Sequence, residues 1–188
     1  LAQQVSPHLL ANAFLSIERK LSAQIPGIRK GVMDLYFLMN HFMESCDPSA
    51  PRTVVLSEEI KAAKRFVIIQ GGFSENEQPI DWNEAGDTTV ATIPSTALIT
   101  LVSNVLKHGT LDKVSSKAVV QIQVEKYEYS IRVSNPILSK GKNRSGSHGV
   151  GLVNLRRRLE YAFDDRFELS YGVRGYSYHV LLRVRFNR

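Results

Sequence analysis

The sequence predicts an α+β fold: a two-layer sandwich in which a mixed, mostly antiparallel sheet carries three helices on one face, preceded by a two-helix element. Three features of the 188 residues lead there. Residues 1–46 hold only helical periodicity, residues 118–134 and 167–186 each alternate like a hairpin, and amphipathic helical segments separate the strands.

In the first segment Leu1, Val5, Leu9, Ala13 and Ile17 recur by fours, and Pro26 with Gly27 then breaks the pattern. Val32, Leu35, Met39 and Phe42 form the stripe of a second helix, joined by Met33, Tyr36 and Met43. Two such helices cannot bury both faces on each other alone. A homodimeric four-helix bundle would cover them, and so would packing against the rest of the same chain.

The stretch DPSAPR, with Pro48 and Pro51, separates a helical unit over residues 1–51 from a second unit over residues 52–188. Ser57 reads as an N-cap, with Glu58 and Glu59 in the first turn, where the helix dipole favours carboxylates. Ile60, Ala63, Phe66 and Val67 give this helix its buried side, and Gly71 with Gly72 ends it. Strands are expected near Pro79 to Trp82 and over Thr88 to Ile93, with Pro94 opening a helix that runs to about His108.

Val120, Ile122 and Val124 alternate on one arm of a hairpin, and Tyr127, Tyr129, Ile131 and Val133 on the other, with the turn at Glu125 and Lys126. Leu152, Leu155, Leu159 and Ala162 then mark a helix whose Arg156, Arg157 and Arg158 read as a solvated face. The last arms, Phe167 to Tyr171 and Tyr176 to Phe186, meet across Gly172 to Gly175.

Composition narrows the function. A net charge of +6 and pI near 9.5 favour acidic partners, among them nucleotide phosphates. Nucleic acid is not expected as a partner, because no reading motif or basic stripe interleaved with aromatics is present. Cys46 is the single cysteine, which leaves no internal disulfide or zinc cluster and fits a reducing compartment. No apolar run of about 18 residues is present to span a membrane. The start at Leu1, without methionine or leader pattern, is expected of a piece cut from a longer polypeptide.

Two segments carry chemistry. In SGSHGVGLVNLRRRL a stretch of small residues runs into an amphipathic helix, whose first amides and dipole suit phosphate oxygens. Gly149 and Gly151 allow close approach to the backbone, and Lys140, Lys142 and Arg144 add positive charge. Asn154 stands where a dinucleotide fingerprint has its third glycine, and Ser147 with His148 stand where a Walker loop has Lys and Ser or Thr. Taken alone, the glycines fit an ordinary loop and helix packing better than a phosphate site.

In TLVSNVLKHG, Asn104 lies mid-helix among Leu101, Val102, Val105 and Leu106, where an amide either faces solvent or serves a buried purpose. Its oxygen suits magnesium, and Lys107 could neutralise phosphate charge.

Together these segments resemble the N box and second glycine box of the GHKL ATPases, the group that includes gyrase and histidine kinases. Within it, IPSTALITLVSNVLKHG is similar to IPP…LVENAIKHG of the LytS-type sensor histidine kinases. GVGLVNLRRRLEYAF is similar to their GIGLxNxxxRLxxxY, QQVSPHLLANAFLSI to QINPHFLFNxLNxI, and VVLSEEIKAAKRFVIIQ to LxEEIxxxxxYIxIQ. The four blocks stand in the family's order and cover nearly the whole chain.

The resemblance implies a Bergerat-type ATP-binding domain over residues 52–188 and a dimerisation element over residues 1–51. It implies His8 as phospho-acceptor, Asn104 as magnesium ligand, and Lys107, His108, Asn135, Gly149, Gly151 and Leu152 at the nucleotide, with Asn135 near the adenine. ATP and magnesium are the implied cofactors, and a second copy of the chain and a response regulator the implied partners. The implied location is cytoplasmic, below an inner-membrane sensor region outside this chain.

The chain departs from the family at Ser103, where a glutamate precedes the asparagine, at Gly72, where an arginine follows IQ, and at Asn40 with His41, which replace arginine and tyrosine. Ser6 and Leu9 replace the residues flanking the Pro-His pair. Each change removes a charge, amide or ring, so the alternative is a degenerate pseudokinase acting as a dimeric scaffold.

Overall fold

A computed structural model describes residues 14, 16–17, 28–45, 52–70, 79–108, 117–137 and 150–186. In chain order the elements are α1 (Ile28–Ser45), β1 (Val54–Val55), α2 (Leu56–Gln70), β2 (Ile80–Ala85), β3 (Thr92–Ile93) and α3 (Ala97–His108). They continue with β4 (Ala118–Val124), β5 (Glu128–Pro136), α4 (Val150–Phe163), β6 (Phe167–Arg174) and β7 (Ser177–Arg185). Five strands form one sheet in the order β2-β4-β5-β7-β6, and β1 pairs with β3 apart from it. Only β2 with β4 is parallel; the other neighbours in the large sheet are antiparallel. The expected α+β sandwich with a mixed, mostly antiparallel sheet is therefore present.

Register and alternation give the sheet one buried face. Val120 lies opposite Val133, which lies opposite Val180, and Ile122, Ile131 and Leu182 make the next row. All six are at most 2% exposed. The intervening row, Asn83, Gln121 and Arg132, is exposed. A slip of one residue would exchange the two faces, so the pattern specifies the register strongly.

Three helices cover the apolar face. α2 contributes Ile60, Ala63 and Val67, α3 contributes Leu98, Leu101 and Val102, and α4 contributes Leu152, Leu155, Leu159 and Phe163. Each fully covered leucine stabilises the fold by about 1.5–3 kcal/mol relative to an exposed one.

Local chemistry moved several boundaries. Ser57 is not the N-cap of α2: the helix already includes Leu56, and its first amides are satisfied by Ala91 and Thr88 carbonyls at 2.8 and 3.3 Å. The strand expected over Thr88–Ile93 shrinks to β3, because Asp87 Oδ1 accepts bonds from the Thr89 amide and hydroxyl at 2.9 and 2.6 Å. That side-chain turn competes with extended backbone. Tyr127 and Tyr176 fall in turns rather than in strand arms.

α1 buries a different side from the one its apolar stripe marks. Gly31, Asp34 and Leu38 are buried, whereas Val32, Leu35 and Met39 are half-buried and Phe42 is exposed. The buried side packs on α2. Asp34 Oδ1 meets Arg65 Nε at 3.2 Å, and the Arg65 guanidinium lies 4.4 Å from the Phe37 ring centre. His41 Nε2 meets Glu59 Oε2 at 2.8 Å. Paired charges therefore orient α1 on its own chain, and the stripe stays half-covered. The Phe14 ring lies 6.2 Å from that of Tyr36, centre to centre, tilted by 50°.

Candidate functional site

α3 and α4 bring the two chemical segments together. Thr96, Thr100 and Asn104 are spaced by fours, so they share one face around α3. Gly151, in the first turn of α4, lies against that face: a Cβ built on it would stand 3.6 Å from Thr100 Cγ2 and 4.0 Å from Asn104 Oδ1. The asparagine amide and the start of the later helix thus adjoin, although 46 residues separate them in sequence. The first amides of α4 lack intrahelical acceptors and carry the positive end of its dipole.

Two side-chain amides, one at this junction and one on β5, are incompletely satisfied. Asn104 Nδ2 and both side-chain heteroatoms of Asn135 are buried without a hydrogen-bond partner among the described residues. Asn135 is 1% exposed, lies on the covered face of β5 opposite Tyr178, and belongs to the strand against which α3 packs. A buried amide without partners costs about 1–3 kcal/mol, which a ligand bearing donors and acceptors would relieve. The residues therefore fit a nucleotide with its magnesium: an amide oxygen at Asn104 for a hard cation, amides at a helix N-terminus for phosphate, and a donor–acceptor pair at Asn135 for a base edge.

Leu152 is 2% exposed and part of the core, so any contact it makes with a ligand falls to its backbone. His8 and Gly149, and the side chains of Lys107 and His108, lie outside the described residues. Two surface hollows lie elsewhere. One of about 220 Å³ sits on the open sheet face beside Asn83, Gln121 and Arg132, and one of about 440 Å³ lies beside Arg52, Tyr129, Phe163 and Phe186.

Behind the junction stands a polar network that periodicity did not reveal. Glu59 is fully buried. Its Oε1 accepts the Leu98 and Ile99 amides at 3.0 and 3.4 Å, and its Oε2 accepts the Thr96 amide at 3.0 Å. A carboxylate from α2 thus caps α3. It does not serve as a solvated first-turn charge on its own helix.

Arg158 secures the same turn from α4, donating to the Ser95 carbonyl, Thr96 Oγ1 and Thr100 Oγ1 at 2.6, 2.7 and 3.4 Å. Arg156 donates to the Leu169 carbonyl at 2.7 Å while remaining exposed, like Arg157, so of the arginine run expected on a solvated face only Arg158 is drawn inward. Burial lowers the Arg158 pKa, an effect opposed by the charge of Glu59. The hydrogen bond that the His41 imidazole donates to Glu59 raises its pKa above the ordinary value. Burial opposes this rise, and the charges of Glu59, Glu44 and Glu58 reinforce it.

A signal for Glu59 was present in the sequence: it falls within the stripe of Leu56, Ile60, Ala63 and Val67, where an acid has to find a partner. Periodicity did not single out Arg158, the last of three consecutive arginines, but it stands at the arginine of the motif GIGLxNxxxRLxxxY quoted above.

No protein-family model matches the chain. The sensor histidine kinase YesM of Bacillus subtilis (strain 168) is 24% identical over 185 residues, which is 95% of this chain. The chain spans 30% of that relative's length. Among solved structures, the nucleotide-free catalytic domain of histidine kinase ThkA aligns at a TM-score of 0.49 and 14% identity over 71% of this chain and 93% of that one. The Acinetobacter baumannii histidine kinase AdeS aligns at a TM-score of 0.48 and 12% identity, over 97% of this chain and 96% of that one.

Proposed function

We propose that this chain is the kinase core of a sensor histidine kinase of the LytS type. Residues 52–188 bind ATP and magnesium, and residues 1–51 dimerise and present His8 to the γ-phosphoryl group. The observation that carries this reading is the apposition of Gly151 to Asn104, 4.0 Å from the built Cβ to Oδ1, at the start of α4. Similarity to a sensor histidine kinase along 95% of the chain supports it.

A neutral imidazole nitrogen of His8 attacks the γ-phosphorus as the bond to the bridging oxygen breaks. ADP leaves with that electron pair, and the ring proton passes to solvent. With an ordinary pKa near 6.5, histidine is largely neutral at pH 7 and above. The transition state is loose, so placement and charge neutralisation matter more than activation of the nucleophile. Amides at the α4 N-terminus hold phosphate, Asn104 orients the cation, and Asn135 bonds the adenine edge. Magnesium, when bound, neutralises phosphate charge. The phosphoryl group then passes to an aspartate of a response regulator. The core works on the cytoplasmic side of a membrane sensor; among the described residues no helix is long and apolar enough to cross a bilayer.

Incubated with γ-labelled ATP and magnesium, the purified chain should gain acid-labile label, and His8→Gln should gain none. Equal labelling of the variant would refute the assignment. Ser103, standing where the family has a glutamate, favours a second reading as a pseudokinase. Calorimetric heat from ATP and magnesium without label transfer would identify a degenerate enzyme. Absence of both would leave a dimeric scaffold.

A further inference from the structure

We propose that Glu59 is a positioning residue for the nucleotide site, and that His41 of α1 acts on it so that the seating of α1 sets the placement of Asn104. This rests on the nucleotide-binding reading above.

The start of α3 cannot hold itself. Thr96 has a left-handed φ of 62°, so the chain reverses its twist immediately before the helix. The first amides of any helix need outside acceptors, and a Ser or Thr at this place commonly supplies one. Here the Thr96 hydroxyl instead accepts the Arg158 guanidinium at 2.7 Å. The Thr96, Leu98 and Ile99 amides all go to Glu59, at 3.0, 3.0 and 3.4 Å. The axial position and rotation of α3 are therefore fixed by a side chain of α2.

That side chain is held in turn by α1. His41 Nε2 reaches Glu59 Oε2 at 2.8 Å, on the oxygen that also accepts the Thr96 amide, and Ser95 Oγ lies 3.4 Å from the same ring nitrogen. His41 is 14% exposed and Glu59 not at all, so water competes little for the bond. Two turns earlier in α1, the Asp34–Arg65 pair at 3.2 Å keeps the helix on α2.

The lever acts on the right face. Asn104 lies eight residues beyond Thr96, about 12 Å along the axis, on the side that meets Gly151. A rotation of α3 by one residue, about 100°, would carry Asn104 away from α4 altogether. A movement of α1 that broke the His41–Glu59 contact would loosen the capped end and shift the amide relative to Gly151. α1 follows the segment bearing His8 in the sequence, so its seating would be felt at the nucleotide site.

The test compares the 188-residue chain with His41→Phe, which removes the donor but keeps a ring, and with His41→Gln, whose amide nitrogen can replace Nε2. Amide hydrogen exchange at Leu98 and Ile99, and calorimetric affinity for ATP with magnesium, are read on each. In His41→Phe, exchange at these two amides should quicken by about tenfold relative to Leu101 and Val102, and the Kd should rise by about tenfold. In His41→Gln both should return to within about threefold of the parent. Unchanged exchange in His41→Phe overturns the link, and so does equal loss of affinity in both variants. If the parent chain binds no nucleotide, the functional reading fails; quickened exchange would then still uphold the mechanical link, and unchanged exchange would end it. Glu59→Gln, if it folds, should quicken Thr96 exchange in the same sense.

Discussion

Gly151→Ala separates the stability of the junction from its use. Gly151 has no left-handed φ, and the new methyl would sit 3.6 Å from Thr100 Cγ2, an ordinary contact. Relative to glycine, alanine stabilises a helix interior by about 0.5–1 kcal/mol, less in the first turn. With roughly 2–4 °C per kcal/mol for a chain of this size, the melting temperature should rise by about 1–3 °C. The same methyl, 4.0 Å from Asn104 Oδ1, would cover the side of the amide that faces α4. It would also keep phosphate from the backbone there. Losing one charge-assisted hydrogen bond costs about 1.5–3 kcal/mol, or roughly a ten- to hundredfold weaker Kd. Thermal melting and calorimetry with ATP and magnesium give the two numbers on one preparation. A variant that is more stable yet binds nucleotide as tightly as the parent would refute the placement of phosphate at Gly151.

Asn135→Val removes a buried amide that has no partner among the described residues and installs a residue favoured in strands. The ligand-free chain should gain about 1–3 kcal/mol, or roughly 2–12 °C, and the further rise on adding nucleotide should shrink. A lower melting temperature with an undiminished nucleotide shift would contradict this reading. The His41–Glu59 pair should depend on pH in a definite sense. Glu59 raises the His41 pKa in the folded chain, so the pair's contribution is fully present below the unfolded value of about 6.5 and fades as pH rises through the folded value. Urea titrations should show a larger stability gap between the parent and His41→Phe at pH 5.5 than at pH 8.5, and an equal gap would refute it.

Periodicity determined much of this protein. Val120 and Ile122, Ile131 and Val133, and Val180 and Leu182 announce their buried faces, and Leu152, Leu155 and Leu159 announce the inner side of α4. A residue's face is set by the geometry of its own element, which the sequence carries locally. The candidate site was legible to the extent that Asn104 and the glycines were singled out by chemistry within their own segments.

Only the tertiary structure decided which segments adjoin. The parallel pairing of β2 with β4, the burial of α1 through Asp34 and Leu38 beside its apolar stripe, and the meeting of Gly151 with Asn104 all join residues distant in sequence. The same holds for Glu59 capping a foreign helix while Arg158 braces it. These contacts follow from competition among whole elements for one apolar surface and from the need of each buried charge to find a partner. Neither demand has a period that a linear sequence can display.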